Sequence, residues 1–282
     1  MLKSITIVGP GRLGTALASS LFEAGYRIAE IISRDSPASR RRAQLLARAV
    51  KAAAVTPKAA RLDAHLVWLC VPDNQIAVTA RELARRDVWK GKIVFHSSGA
   101  LSSAELKSLR TRGAAVAAVH PLMTFVHGSM PSLRGVTFSA EGDAVAVRIA
   151  RPVVRRLGGQ TSTLHPKKKT AYHAWGAFTS PLLLVTLLAS EQVARVAGLS
   201  STEARRRMMP IVRQTLANYS ALGPARSLSG PLVRGDAEVI ARHLKELKKL
   251  PEIRALYIAL ARTALRYLPS KNRKNLEAAL RG

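Results

Sequence analysis

Lys169, His173, Gly176 and Ser180 recur at spacings of four, three and four, so a helix through them sets a small polar stripe on one side, with Tyr172 beside it. A reaction that leaves an oxyanion needs a proton donor within about 3 Å. An unperturbed histidine titrates near neutrality and can supply that proton. His173 is therefore the first choice of donor, with Lys169 orienting it or the substrate and Tyr172 next. A wet channel or a helix crossing would need the same small polar stripe, and Lys169, last of the run "KKK" after Pro166, is equally at home in solvent.

Other polar residues stand at the ends of apolar runs. In "HSSGALSSAEL" Ser97 and Ser98 follow a strand, where hydroxyls and nearby N–H groups can hold a carboxylate or carbonyl, while Ser102 and Glu105 have capping-box spacing and read as structural. His120, before Pro121, reaches the same rim, although a lone histidine is more often a hydrogen-bonded structural residue. In "SGPLVRGD" Arg234 and Asp236 pair, or cap a helix, or Arg234 reaches an acidic substrate. No metal site is expected, because His96, His120 and His173 lack ligand spacing and the one cysteine, Cys70, sits in an apolar run.

The elements that would position these groups begin at "TIVGPGRLGTAL". A strand runs into Gly9, Pro10 and Gly11, and Arg12, Leu13 and Gly14 open a helix. Alone, three glycines are a weak signal; the following pattern decides. "YRIAEIIS", "HLVWLCVPD", "KIVFHSSG" and "AAVAAVHP" read as strands alternating with helices, with a shorter pair, "GVTFSAE" and "GQTSTLH", around a further helix. That alternation implies crossover units and a mainly parallel sheet covered on both faces. Gly9 then permits the turn, Gly11 lets backbone approach a pyrophosphate, Gly14 lets the helix close on the strand, and the helix N-terminus faces the phosphates. Where an acidic residue would hold a ribose hydroxyl, Ser33 and Arg34 stand instead, with Arg40, Arg41 and Arg42 close behind, which suits a 2′-phosphate; Asp35 facing the ribose would reverse that preference. Val71 and Pro72 end a strand where the nicotinamide half would lie, near Ser97, and Asp73 suits a cap of the next helix. Residues 1–165 thus form an α/β dinucleotide-binding domain and 166–282 an all-helical domain for substrate and dimerisation.

The net charge of +28 raises nucleic acid as a partner, yet the basic residues fall in small scattered groups without a recognition motif, so a solvated surface suited to anionic small molecules is the expectation. Residues 170–190 hold no charged side chain and are long enough to span a bilayer, but His173, Gly176, Ser180 and Pro181 point to a helix buried in protein, within the chain or between two copies. No targeting segment is read at the N-terminus, and a cytoplasmic location is expected.

The ordered segments "GPGRLGTAL", "VPDNQI", "HSSGALSS", "HPLMTF", "KKKTAYHAWGAFTS" and "SGPLVRGD" together resemble a family of Rossmann-like oxidoreductases with a C-terminal helical domain of unknown function. That family is similar to the superfamily of 6-phosphogluconate dehydrogenase, ketopantoate reductase, pyrroline-5-carboxylate reductase and imine reductases. The resemblance covers nearly the whole chain and implies an NADP-binding domain followed by an often dimer-forming helical one. Lys169 matches the lysine that starts the corresponding helix in the superfamily, whereas Tyr172 and His173 replace the amide side chains of hydroxyacid dehydrogenases, which counts against hydroxyacid chemistry. The expectation is an NADPH-dependent reductase of a small carbonyl, such as a ketopantoate-like 2-oxo acid, or of an imine, acting as a homodimer. The alternative is an NADP-binding sensor or scaffold without turnover.

Overall fold

The computed structural model describes residues 4–86 and 88–281. Two compact units divide the chain, Met1–Ser180 and Pro181–Gly282.

The first unit is built on an eight-stranded sheet. Its strands are β1 (Ser4–Val8), β2 (Arg27–Ile32), β3 (Ala53–Val55), β4 (Leu66–Leu69), β5 (Ile93–His96), β6 (Ala115–Pro121), β7 (Thr137–Gly142) and β8 (Gln160–Thr163), in the spatial order β3-β2-β1-β4-β5-β6-β7-β8. Every neighbouring pair is parallel except β6 and β7. Strands β4 and β5, "LVWL" and "IVFH", are buried at every position because helices cover both faces, which explains their unbroken apolar runs. Helices α1 (Arg12–Glu23), α2 (Pro37–Ala49) and α5 (Ala144–Arg156) pack on one face with Ile7, Trp68 and Phe95. On the other face α3 (Asp73–Leu83) and α4 (Lys107–Arg110), preceded by a 3-10 turn at Ser103–Leu106, pack with Val67, Leu69 and Val94. Ser102 caps that turn, as its spacing suggests.

Two features depart from simple alternation. Strand β3 is a three-residue edge strand, too short to leave an alternating pattern. Between β6 and β7 the segment 122–136 forms no helix, since Gly128, Pro131 and Gly135 break it, and without a crossover helix the chain can only return antiparallel.

A third difference concerns the boundary. Helix α6 (Lys169–Thr179), expected to open the helical domain after position 165, falls in the first unit, where its first residue, Lys169, is buried against Glu141 of β7. It ends at Ser180, which leaves helical geometry at φ −131° and ψ −79°, so Lys169, His173 and Gly176 share the helix and Ser180 only terminates it.

The second unit contains α7 (Pro181–Val196), α8 (Ser201–Leu222), the short α9 (Pro224–Ser227) and α10 (Pro231–Arg234), then α11 (Ala237–Glu246), α12 (Pro251–Tyr267) and α13 (Arg273–Ala279). A capping box starts α8, with Ser200 as its cap paired with Glu203. Arg205 of α8 holds Glu191 of α7 through two hydrogen bonds of 3.0 and 3.1 Å. Ile240, Leu244, Ala261, Leu265, Leu276 and Leu280 make a small core among α11, α12 and α13. Residues Pro166–Val196 are long and apolar enough to cross a bilayer by length and composition. Contrary to burial within the chain, α7 leaves Leu184 67% and Leu188 52% exposed.

Close packing of α1 on the sheet rests on Gly14. A Cβ there would stand 2.0 Å from the Gly9 carbonyl oxygen, a backbone atom that cannot swing aside. Gly14→Ala should therefore lower stability by about 1–3 kcal/mol through overpacking, read as a lower urea midpoint with unchanged slope.

Candidate active site

Ligands of open parallel sheets bind beyond the carboxyl ends of the strands, where the strand order reverses. Here that point lies between β1 and β4, and the loops along this rim carry nearly all the candidate residues.

The turn after β1 has Gly9 at φ +99°, a left-handed conformation, and a Cβ there would meet the Cys70 carbonyl at 2.7 Å. Gly9 and Gly14 are thus required by the fold itself. Gly11 differs, since a Cβ on it meets nothing within 4 Å. Its smallness serves nothing within the chain, and the space it leaves open lies at the N-terminus of α1, where no side chain caps the first-turn N–H groups. Arg12 is exposed and Leu13 packs on the core, so this turn offers backbone donors rather than side chains.

Beside the turn a cavity of about 360 Å³ is lined by Gly11, Arg34, Arg42, Val71 and Pro72, with Pro10 and Ser33 also on its wall. Arg42 donates to Ser39 Oγ at 3.4 Å, which holds a second guanidinium at the cavity. Asp35, the residue able to reverse the cofactor preference, forms a 3.3 Å ion pair with Arg40 and is absent from the lining. These features fit a dinucleotide bearing a 2′-phosphate: backbone donors for the pyrophosphate, then two arginines at the ribose end.

Further along the rim the hydroxyls are committed. Trp68 donates its indole N–H to Ser97 Oγ at 2.8 Å, a bond that braces the strand end, and Ser97 lies outside the cavity lining. Ser98 Oγ donates to Asp73 at 2.8 Å and accepts the N–H groups of Ala100 and Leu101 at 3.2 and 2.9 Å. Its proton and lone pairs are engaged, which removes it as a free catalytic group. Asp73 serves as the acceptor for Ser98 and makes no helix-capping bond. Cys70 packs beneath the loop, and burial pushes its thiol up.

Lys169 is the main surprise. Despite ending a lysine run it is 1% exposed; its ammonium donates to the Ser98 carbonyl at 3.1 Å and stands 4.0 Å from Glu141 of β7. Glu141 is held by the N–H and hydroxyl of Ser103 at 2.6 and 3.0 Å. Burial keeps the Lys169 pKa below the ordinary lysine value, with Glu141 and Asp73 opposing. The ammonium thus fastens α6 to β7 and to the loop after β5, and its close partners do not include His173.

Tyr172 and His173, one turn on, face β6. The Tyr172 ring meets His120 edge-on at 6.0 Å between centroids, and the His173 ring meets it at 6.2 Å. Both histidines close over Gly99, where a Cβ would lie 2.7 Å from His173 and 2.9 Å from His120. Arg234 and Asp236, in the second unit, pair with each other at 2.8 Å. Among the described residues no group of three metal-binding side chains occurs.

Comparison with known proteins follows the same division. Residues 2–121 match a Rossmann-like domain and residues 136–264 match DUF2520, a domain of unknown function. The two matches together span most of the chain, one on either side of residues 122–135. No curated protein matches it. Among solved structures, a Bacteroides fragilis protein is similar at TM-score 0.78 and 21% identity, covering 93% of this chain and 97% of that one. A reductive aminase from Aspergillus terreus, in complex with NADPH and ethyl-5-oxohexanoate, gives TM-score 0.68 at 19% identity over 94% of each chain. An imine reductase from Myxococcus stipitatus, in complex with NADP+, gives 0.70 at 16% identity over 93% and 94%. At these identities the likeness is one of fold.

His96 supplies a pH signature. Its Nδ1 accepts the Ser98 N–H at 3.1 Å and its Nε2 bonds the Ser102 carbonyl at 3.0 Å, an arrangement made by the neutral ring. Burial chiefly, aided by the Lys169 ammonium, pushes its pKa down to about 4. Between about pH 4 and the ordinary value near 6.5 the unfolded chain binds a proton that the folded chain refuses, so stability rises with pH across that window. Acidification from pH 7 to 4.5 should cost on the order of 2 kcal/mol through this group. His96→Leu should be less stable at pH 7 yet lose less on acidification; an equally steep pH slope in urea melts would contradict this.

Proposed function

We propose that the chain is an NADPH-dependent reductase of a small carbonyl or imine compound. The observation that carries the reading is the open ground over Gly11, at an uncapped helix N-terminus, flanked by Arg34 and Arg42 on one side and by Val71 and Pro72 on the other. The backbone N–H groups of residues 11–14 would hold the pyrophosphate, and Arg34 with Arg42 the 2′-phosphate. Val71 and Pro72 would face the nicotinamide half, from which a bound cofactor supplies hydride. The likeness in fold to proteins described as a reductive aminase and an imine reductase, each with an NADP cofactor, supports the same reading. With Ser98 and Lys169 engaged inside the fold, proton donation falls to Tyr172 and His173 on α6. NADPH oxidation by a panel of 2-oxo acids, aldehydes, ketones and imines tests the proposal; tight NADP binding with no turnover on any of them would favour a sensor or scaffold.

Cofactor choice follows from Arg34. Losing a guanidinium bond to a phosphate costs about 1.5–3 kcal/mol, or roughly ten-fold and more in affinity. Arg34→Ala should weaken NADPH binding at least ten-fold and NADH binding little, as read by nicotinamide fluorescence titration; equal loss for both would refute the assignment.

The same reading includes a homodimer formed through the second unit. Leu184, Leu188, Ile211, Leu216 and Tyr219 of α7 and α8 are each more than half exposed, a larger apolar display than a soluble monomer ordinarily leaves in water. Light scattering at micromolar concentration should return about twice the 30.4 kDa chain mass. Leu184→Glu with Ile211→Glu should return one chain mass.

A further inference from the structure

Three buried polar atoms, His120 Nδ1, Ser139 Oγ and Tyr172 Oη, lie beneath α6 without a hydrogen bond of good geometry, the two hydroxyls having only each other within range. Strand register places His120 of β6 directly opposite Ser139 of β7, so the two side chains leave the same face of the sheet. Tyr172 meets the His120 ring edge-on, and its hydroxyl neighbours that of Ser139. Ser139 is 2% exposed. Buried polar side-chain atoms in folded proteins are overwhelmingly paired, and this group keeps hydrogen-bonding capacity that nothing else in the chain uses well, capacity open to a polar atom from outside.

The chemistry of the three selects that atom. Both hydroxyls can turn to donate, and the imidazole is held neutral, burial chiefly and the Lys169 ammonium next pushing its pKa down to about 4. A cation is thus disfavoured here, while an oxygen that gains negative charge meets several donors and a nearby ammonium. Substrates that arrive as iminium ions fit this environment poorly. Carbonyl compounds fit it well.

We propose that His120, Ser139 and Tyr172 grip the oxygen of a carbonyl substrate, so that ketones and aldehydes rather than preformed iminium ions are the substrate class; this rests on the reductase reading above. During reduction the C=O π bond breaks and its electron pair stays on oxygen. The Tyr172 O–H bond breaks to give that oxygen a proton, and water reprotonates the phenolate. The hydride with its two electrons comes from NADPH, which leaves as NADP+. Tyr172 is then the proton donor in place of His173, and Ser139 and His120 position it and the oxygen.

Calorimetric titration of the full chain saturated with NADP+ tests this, with oxamate as the oxygen probe and pyrrolidinium as the cationic one. Oxamate should bind the wild type more tightly than pyrrolidinium does, and at least ten-fold less tightly to Tyr172→Phe and to Ser139→Ala. NADP+ affinity should stay within two-fold. Oxamate should also perturb tyrosine absorption near 295 nm in the wild type and not in Tyr172→Phe, a response that a merely structural tyrosine would not give. His120→Asn should weaken oxamate as well, which keeps the test decisive if one hydroxyl variant folds poorly. Tighter pyrrolidinium than oxamate binding, no oxamate binding with NADP+ in place, or unchanged oxamate affinity in the folded variants would each overturn the oxygen site alone. A wild type that binds no NADP+ would remove the reductase reading and this one together.

Discussion

An ammonium group in a protein interior must find charge and acceptors there, because leaving water costs several kcal/mol per ion. Lys169 meets that demand with the Ser98 carbonyl and the Glu141 carboxylate, and Glu141 in turn is fixed by Ser103. The consequence is geometric. With Lys169 set beside Glu141, the next helical turn brings Tyr172 to Ser139, two residues back along β7 on the same face of the sheet. His173 then comes down beside His120 and Gly99. One buried cation therefore decides which side chains of α6 meet which side chains of β6 and β7.

What could be read from the sequence follows the range of the interactions. The glycine turn was legible because the turn, the close helix and the strand before it all lie within ten residues. That Gly9 and Gly14 serve packing while Gly11 leaves open space was not legible, since the difference depends on Cys70, distant in sequence. Lys169 in a run of three lysines looks solvated, and only acceptors 71 and 28 residues earlier draw it inside, which also moves the unit boundary to Ser180. Likewise the hydroxyl of Ser98 looked free until Asp73, 25 residues away, claimed it. Strand β7 was recognisable as a strand, but its reversed direction, which sets Ser139 against His120, depends on a connection with no pattern of its own.

The two halves of the rim solve opposite problems. At the nucleotide end the protein leaves donors unsatisfied and exposed: bare N–H groups on α1 and guanidinium groups at the cavity wall, where a polyanion can replace water. Around Ser98 it satisfies its polar groups internally: the hydroxyl is shared among Asp73, Ala100 and Leu101, and the carbonyl accepts from Lys169.

The long separations within the polar cluster also order events in time. Every residue lining the nucleotide cavity lies between Val8 and Glu82, whereas the cluster is incomplete until Tyr172 has been made. Domains assemble progressively as the chain emerges from the ribosome, and contacts that close long loops form late. A nascent chain thus acquires its glycine turn and the cavity beside it about ninety residues before the cluster around Tyr172 can close. On the reductase reading, loss of α6 by truncation or by local unfolding would leave a protein that holds dinucleotide and cannot use it.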